Sequence, residues 1–497
     1  MSEAEKIIKY PFKLLWTGLK YLFLGYVLKN KTGAKFSNEF EYNDFLSSRN
    51  KGLLLDGAKL RLSEKDSFEN VCVTASVGAG KTSQYIISNV LDKAKAKCSM
   101  VINDPKGEVF EKTSGRLKQC GYNVIVIDPE NLSRSNYFNP LAEAKNNIEL
   151  EQIAEILIRS GSSHSDGGDE FWTQGAIRFV SLFIKCLKNA GEENPEWFNL
   201  HNLYFLFQNF GEKGKALNEF MSHYTINPYD FTDESLSDEW DGLLTGNKEG
   251  YQSFVLNAIT ALKSLSNQNL AKLTAKSDIS LEDIRYKKTV IYMITPAQHT
   301  EYYSFLISLF FRSVFNACMR EEPNSKTLPV YILYDEFGHS TIPNFTSTAN
   351  TIRGYNVSIS IILQSISQLN ARYGKAYAES ILGGFNTYMT YSGSDPVTLT
   401  FFEKMLGKVR ERQKNTVTNP NDQYREYNLM NSNEIRAIHK NEAIVISSNK
   451  QPIHLKTTPY FKNWAFKRQS NLPKYNEPKL AESFTLSKVP LKWKDEQ

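Results

Sequence analysis

The stretch that most constrains this chain is Ala75-Ser-Val-Gly-Ala-Gly80-Lys81-Thr82, set between an apolar run at Val71–Thr74 and a helical pattern. Strand, glycine-rich loop and helix in that order make a phosphate-binding loop. Gly78 and Gly80 let the backbone amides curl around phosphate oxygens, and the helix N-terminus adds a favourable dipole for an anion. The nucleotide-binding set is then Gly78, Ala79, Gly80, Lys81, Thr82 and Ser83. Lys81 is expected to reach the β- and γ-phosphates and Thr82 to ligate Mg²⁺, which makes ATP and Mg²⁺ the expected cofactors. The consensus loop opens on glycine where this chain has Ala75, and an alanine fits there if its φ is negative.

A second apolar run, Val330–Tyr334, ends in Asp335-Glu336. Alone, a strand ending in two acids is a weak signal. Beside a phosphate-binding loop it reads as the carboxylate pair of a nucleotide hydrolase. Asp335 would hold Mg²⁺ through water and Glu336 would orient and deprotonate the attacking water. The run Val357–Leu363 ends at Gln364, placed to sense the γ-phosphate. Arg353 precedes that run and is either an arginine finger for a neighbouring subunit or a surface arginine in a local ion pair. Asp104-Pro-Lys-Gly-Glu108 follows Met100–Asn103 at the carboxyl end of a parallel strand, where ligands bind in open α/β sheets. Lys106 and Glu108 are therefore candidates for the edge of the site.

Short apolar runs at Val71–Thr74, Met100–Asn103, Val124–Ile127, Val290–Ile294, Val330–Tyr334, Val357–Leu363 and Thr387–Tyr391 read as buried strands separated by helices. Ala443–Ile446 closes the series. From 146 to 285 the pattern is helical instead, with Glu151–Arg159, Phe171–Asn189 and Tyr251–Leu265 as the clearest stretches and Asp169 as an N-cap. The expected fold is α/β: a RecA-like P-loop ATPase domain on a mostly parallel sheet, with an inserted all-α domain. The expected divisions are a membrane-proximal segment (1–50), the first part of the nucleotide-binding domain (51–145), the helical insert (146–285), the second part (286–467) and a flexible tail (468–497). Arg410–Glu426 reads as an exposed polar loop.

Net charge is +5, from 59 basic and 54 acidic residues, so any contact with nucleic acid must come from a local patch or pore. The five cysteines are scattered without a C-x-x-C pair, as reduced and mostly buried thiols would be. Residues 10–28 are strongly apolar but interrupted by Lys13 and Lys20, which share a helix face. A helix in the membrane interface, a helix docked on a partner and a true span all remain open for this segment.

Taken together these motifs resemble the TraG/TraD-type coupling proteins of type IV secretion (conjugation) systems. The resemblance rests on the phosphate-binding loop, Asp104-Pro-Lys-Gly-Glu108, Ile125-Val-Ile-Asp-Pro-Glu130 to Asn139-Pro-Leu141, and Phe171-Trp172. It rests most on Asp335-Glu-Phe-Gly338, Ile352-Arg-Gly-Tyr355 and Gln364-Ser-Ile-Ser-Gln-Leu369, and covers about Leu53 to Asn463. It implies a membrane-associated ATPase on the cytoplasmic face of the bacterial cell membrane, a homohexamer when active and a monomer in isolation. Its partners would be a relaxase bound to single-stranded DNA and the components of the secretion channel. By position, Lys81 and Thr82 take the nucleotide and metal roles, Asp335 and Glu336 the hydrolytic ones, Gln364 the sensor and Arg353 the inter-subunit role. Members of the family usually begin with two membrane spans, where this chain has one short interrupted stretch, so attachment would be peripheral or through an anchoring partner. A cargo-docking receptor that uses ATP mainly for assembly, and a segregation or packaging DNA motor, are the competing functions.

Overall fold

The computed structural model describes residues 31–161, 170–226, 235–245, 248–412, 424–447, 449–476 and 485–491. The apolar segment 10–28 and the N-cap expected at Asp169 lie outside them. Nine strands form the central sheet. They are Val71–Thr74 (β1), Ser99–Asn103 (β2), Asn123–Ile127 (β3), Thr289–Met293 (β4), Val330–Tyr334 (β5), Val357–Leu363 (β6), Thr387–Thr390 (β7), Glu442–Ser447 (β8) and Ile453–Lys456 (β9). Their spatial order is β9-β8-β7-β1-β6-β5-β2-β4-β3. The seven strands from β7 to β3 are parallel, and β8 and β9 close one edge antiparallel. The apolar runs match these strands to within a residue at each end, the usual uncertainty of element boundaries.

Both sheet faces are covered, which is why the central strands are buried on both sides, down to Ser358 and Ser360 of β6. On β5, Val330, Ile332 and Tyr334 enter one core, and Tyr331 and Leu333 the other. Between β3 and β4 the described residues hold helices and no strand, including Asn147–Gly161, Glu170–Glu193, Leu200–Gln208 and Lys248–Ala261. These helices share one continuous core with a sheet face, in which Leu157, Phe183 and Leu206 join Ile291 of β4 and Ile332 of β5. All five cysteines are free, and four are buried.

Two polar segments carry regular structure or defined contacts in their described residues. Arg410–Glu426 is exposed, but its described residues belong to a ribbon of Lys408–Arg412 and Tyr424–Asn428, joined by Lys31–Gly33. Its polarity comes from the face turned to water, where Arg410 stands opposite Glu426 and pairs with it at 2.5 Å, while Val409 is buried on the other face. Around the stretch expected as a flexible tail, the described residues make defined contacts. Trp464–Ser470 is a helix, the Tyr475 amide donates to Ser114 Oγ at 3.0 Å, and Val489 is 2% exposed. Asn202 clamps the backbone there, accepting from the Val489 amide at 3.1 Å and donating to the Ser487 carbonyl at 3.0 Å. A few apolar residues and a side-chain amide suffice to seat a Lys- and Pro-rich strip. Among the described residues no helix is long and apolar enough to cross a membrane.

Candidate nucleotide site

Strand order builds the site. The loop follows β1, Gln364 ends β6, Asp335 ends β5 and Asp104 ends β2, so four neighbouring strands deliver four groups to one sheet edge. Gly78 and Gly80 have φ of +79° and +93°, in the left-handed region where glycine is favoured. Ala75 needs no such conformation: it is fully buried and its amide continues the sheet, donating to the Leu363 carbonyl at 3.0 Å. The missing first glycine therefore leaves the loop geometry intact.

Lys81 Nζ lies 2.7 Å from Glu336 Oε1 and 3.6 Å from Asp335 Oδ1. Gln364 Nε2 donates to Glu336 Oε2 at 2.7 Å, and His339 Nε2 is 3.5 Å from the same oxygen. Gln368 in turn donates to Gln364 Oε1 at 3.4 Å. Glu336 has φ +56°, a left-handed conformation that costs a non-glycine residue about 1 kcal/mol or more and concentrates at functional sites. Asn103 steadies this turn by donating to the Asp335 carbonyl at 2.7 Å.

The two adjacent acids are driven apart. Burial pushes the Asp335 carboxyl up to about 6 against the pull of Lys81. Burial raises Glu336 as well, but His339, Lys81 and Gln364 together outweigh it and hold the carboxyl at about 2. Asp104, buried and accepting from the Phe110 amide at 2.8 Å, is pushed up to about 7 by burial, with Asp335 and Glu108 adding to the rise.

These groups line a cavity of about 780 Å³, together with Gly78, Gly80, Thr82, Ser83, Lys106 and Glu108. Ser83 Oγ donates to the Gly80 carbonyl at 3.1 Å, and the Ala79 side chain turns inward, 5% exposed. The structure thus brings Lys81, Thr82, Asp335, Glu336 and Gln364 together. It does not bring Arg353. That residue is exposed in a turn before the N-terminal end of β6, the end opposite the site and roughly 20 Å away along a seven-residue strand.

Sequence reasoning missed His339, Gln84 and the far wall. Buried Gln84 donates to the carbonyls of Ala79 and Lys440, each at 3.2 Å, and accepts from Thr457 Oγ1. It ties the phosphate-loop helix to the β8–β9 edge, which contributes His439, Lys440, Asn441, Pro459, Phe461 and Lys462 to the cavity. His339 could have been suspected from its place three residues after Glu336. Nothing in the local sequence marks Gln84 or Phe461.

The donor set suits Mg²⁺ bound through a nucleotide. Among the described residues no three His, Cys, Asp or Glu converge on a metal position. Of the hydroxyls and carboxylates lining the cavity, Thr82 in the loop and Asp335 at the strand end would supply two positions, leaving the others to phosphate and water, as this ion prefers.

Fold and site define a P-loop nucleotide-binding protein of the RecA-like class. A family model described as type IV secretory system conjugative DNA transfer matches residues 34–484, and the chain belongs to that family. Protein VirD4 of Rhizobium radiobacter is 24% identical over 420 residues, covering 80% of this chain and 57% of that protein. Conjugal transfer protein TraG of the same organism is 23% identical over 343 residues, covering 67% and 52%. The chain thus spans between half and two thirds of the length of these curated relatives. Among solved structures, the plasmid coupling protein TrwB in complex with ADP and Mg²⁺ aligns with a TM-score of 0.65 at 15% identity, over 89% of this chain and 97% of that one. VirB4 of Thermoanaerobacter pseudethanolicus aligns with a TM-score of 0.50 at 14% identity, over 82% and 96%. These likenesses establish the shared fold.

Proposed function

We propose that this chain is the coupling ATPase of a conjugative type IV secretion system, recruiting a relaxase–DNA substrate and using ATP hydrolysis to drive single-stranded DNA transfer. The observation that carries the reading is the pairing of Lys81 with Glu336 and Asp335, and of Gln364 with Glu336, beside a glycine loop. Family membership and the likeness to VirD4, TraG and TrwB support the conjugative setting.

In this reading the loop amides and Lys81 hold the triphosphate. Thr82 and Asp335 hold Mg²⁺, which when bound neutralises charge on the phosphate oxygens. Glu336 orients the attacking water and takes its proton. A carboxyl held at about 2 is a poor proton acceptor near neutral pH. Transfer of Lys81 from Glu336 to phosphate removes one of the contacts that depress it. Binding of the triphosphate therefore prepares the base, with Gln364 and His339 still fixing its position. Gln364 stands between the loop and Glu336 and reports the γ-phosphate. Arg353, remote from its own site, serves a neighbouring subunit in a homohexameric ring. Secretion-channel components are further partners, and the ring sits at the cytoplasmic face of the membrane, held through residues 10–28 or an anchoring partner.

The decisive assay is ATP hydrolysis with and without single-stranded DNA, using Lys81→Ala as the blank. Stimulation by DNA that disappears in the variant is the expected result. Hydrolysis indifferent to DNA would reject DNA translocation as the work done.

A further inference from the structure

We propose that Phe461 is the platform on which the purine base of the bound nucleoside triphosphate stacks. The inference rests on the nucleotide reading above and adds the end of the ligand that the glycine loop does not address.

Three observations converge on this ring. Phe461 lines the same cavity as Gly80 and Lys81, on the wall contributed by the chain after β9. It is 48% exposed, although its neighbour Tyr460 is 8% exposed and belongs to the core. Its ring meets Tyr460 at 82° with centroids 5.5 Å apart, and the half left in water offers apolar surface beside the cavity to a flat ligand. Finally, its mount is rigid. The Thr458 amide donates to the Asp56 carbonyl at 2.8 Å, and Thr458 lies so close to Gly57 that a Cβ there would stand 2.1 Å from its carbonyl oxygen. After the ring, Asn463 caps the helix Trp464–Ser470, accepting from the Ala465 amide at 3.1 Å.

Gln84 connects this mount to the phosphate end. Its side chain joins the Ala79 carbonyl in the loop to Thr457, four residues before Phe461. The phosphate cradle and the ring are therefore held in one frame, and a ligand with phosphates at one end and a flat heterocycle at the other spans it. Stacking uses the π-face that every base has, and it is sequence-tolerant for that reason. The larger purine face covers more of the ring than a pyrimidine does. Adenine and guanine nucleotides should therefore bind with similar affinity and cytosine nucleotides more weakly.

Calorimetric titration of the full chain with ATP, GTP, CTP and inorganic tripolyphosphate tests this. Phe461→Ala should weaken ATP and GTP about tenfold or more, a loss within the range measured for base–aromatic stacking. It should leave tripolyphosphate affinity unchanged, and Phe461→Trp should restore ATP binding. Unchanged ATP affinity in Phe461→Ala would overturn the proposal. So would a parallel loss of ATP and tripolyphosphate, because Phe461 would then act on the loop and not on the base. A wild-type chain that binds neither ligand would overturn the nucleotide reading itself, and the base platform with it.

Discussion

Gln84 offers the sharpest test of how the site is held together. Its buried side chain serves the carbonyls of Ala79 and Lys440 and the hydroxyl of Thr457, linking the phosphate-loop helix to the antiparallel edge. Gln84→Leu keeps the approximate volume and removes all three partners. At ~1 kcal/mol for each buried group left unpaired, the loss is about 3 kcal/mol. A large domain loses about 2 °C of melting temperature per kcal/mol, so Tm should fall by ~6 °C. ATP affinity should fall as well, because the helix that presents Lys81 and Thr82 loses its tie. Gln84→Glu separates hydrogen bonding from packing. One carboxylate oxygen still accepts from Thr457, but the other faces two carbonyl oxygens that need a donor. Glutamate should therefore be at least as damaging as leucine at pH 7. Differential scanning calorimetry together with ATP titration reads both effects. Wild-type Tm and affinity in Gln84→Leu would refute the claim that this side chain braces the loop.

Other perturbations follow from the same geometry. Glu336→Gln should lower ATP turnover by about a hundredfold or more while nucleotide still binds, and Lys81→Ala should abolish turnover with the fold kept by circular dichroism; wild-type hydrolysis by either removes its assigned role. Burial lifts Asp104 from its ordinary 3.8 to about 7, so the folded chain holds this proton more tightly than the unfolded chain. Its contribution to stability is present below pH ~4 and lost as pH rises through about 7, a change of up to ~4 kcal/mol. Asp104→Asn keeps an acceptor for the Phe110 amide and should melt higher than wild type at pH 8 but not at pH 4; equal melting at both would show that the carboxyl is not buried. Val489→Asp should release the strip at 485–491, forfeiting about 2 kcal/mol of valine burial, with protease cleavage at Lys488 as the readout.

Much of this architecture was legible because parallel strands covered on both faces are rich in apolar residues and free of charge along their length. Val330–Tyr334 and Val357–Leu363 agree with the structure residue for residue. The loop and the acid pair were legible for a different reason: their chemistry depends on residue type at fixed spacing within one segment. The ribbon around Arg410 and Glu426 was not, because a largely exposed strand pair has the same polar composition as a loop and differs only in what stands across from it. The strip at Ser487 and Val489 was hidden for a similar reason, since its seat is Asn202, far away in the chain.

The site divides along the same line. Lys81, Asp335, Glu336 and Gln364 could each be named from a local motif, but their mutual pairing could not, because it depends on the order β1-β6-β5 within the sheet. That order seats Gln364 between the loop and Glu336, so one amide can touch the base while facing the phosphate position. It also explains why Arg353 is excluded. Arg353 and Gln364 flank opposite ends of the same strand, so a sheet that brings Gln364 to the nucleotide must carry Arg353 away from it. The basic residues lining the cavity are lysines and histidines, with no arginine among them. Strand polarity thus accounts for the distance of Arg353 from its own site, and its service to a neighbouring subunit belongs to the proposed function.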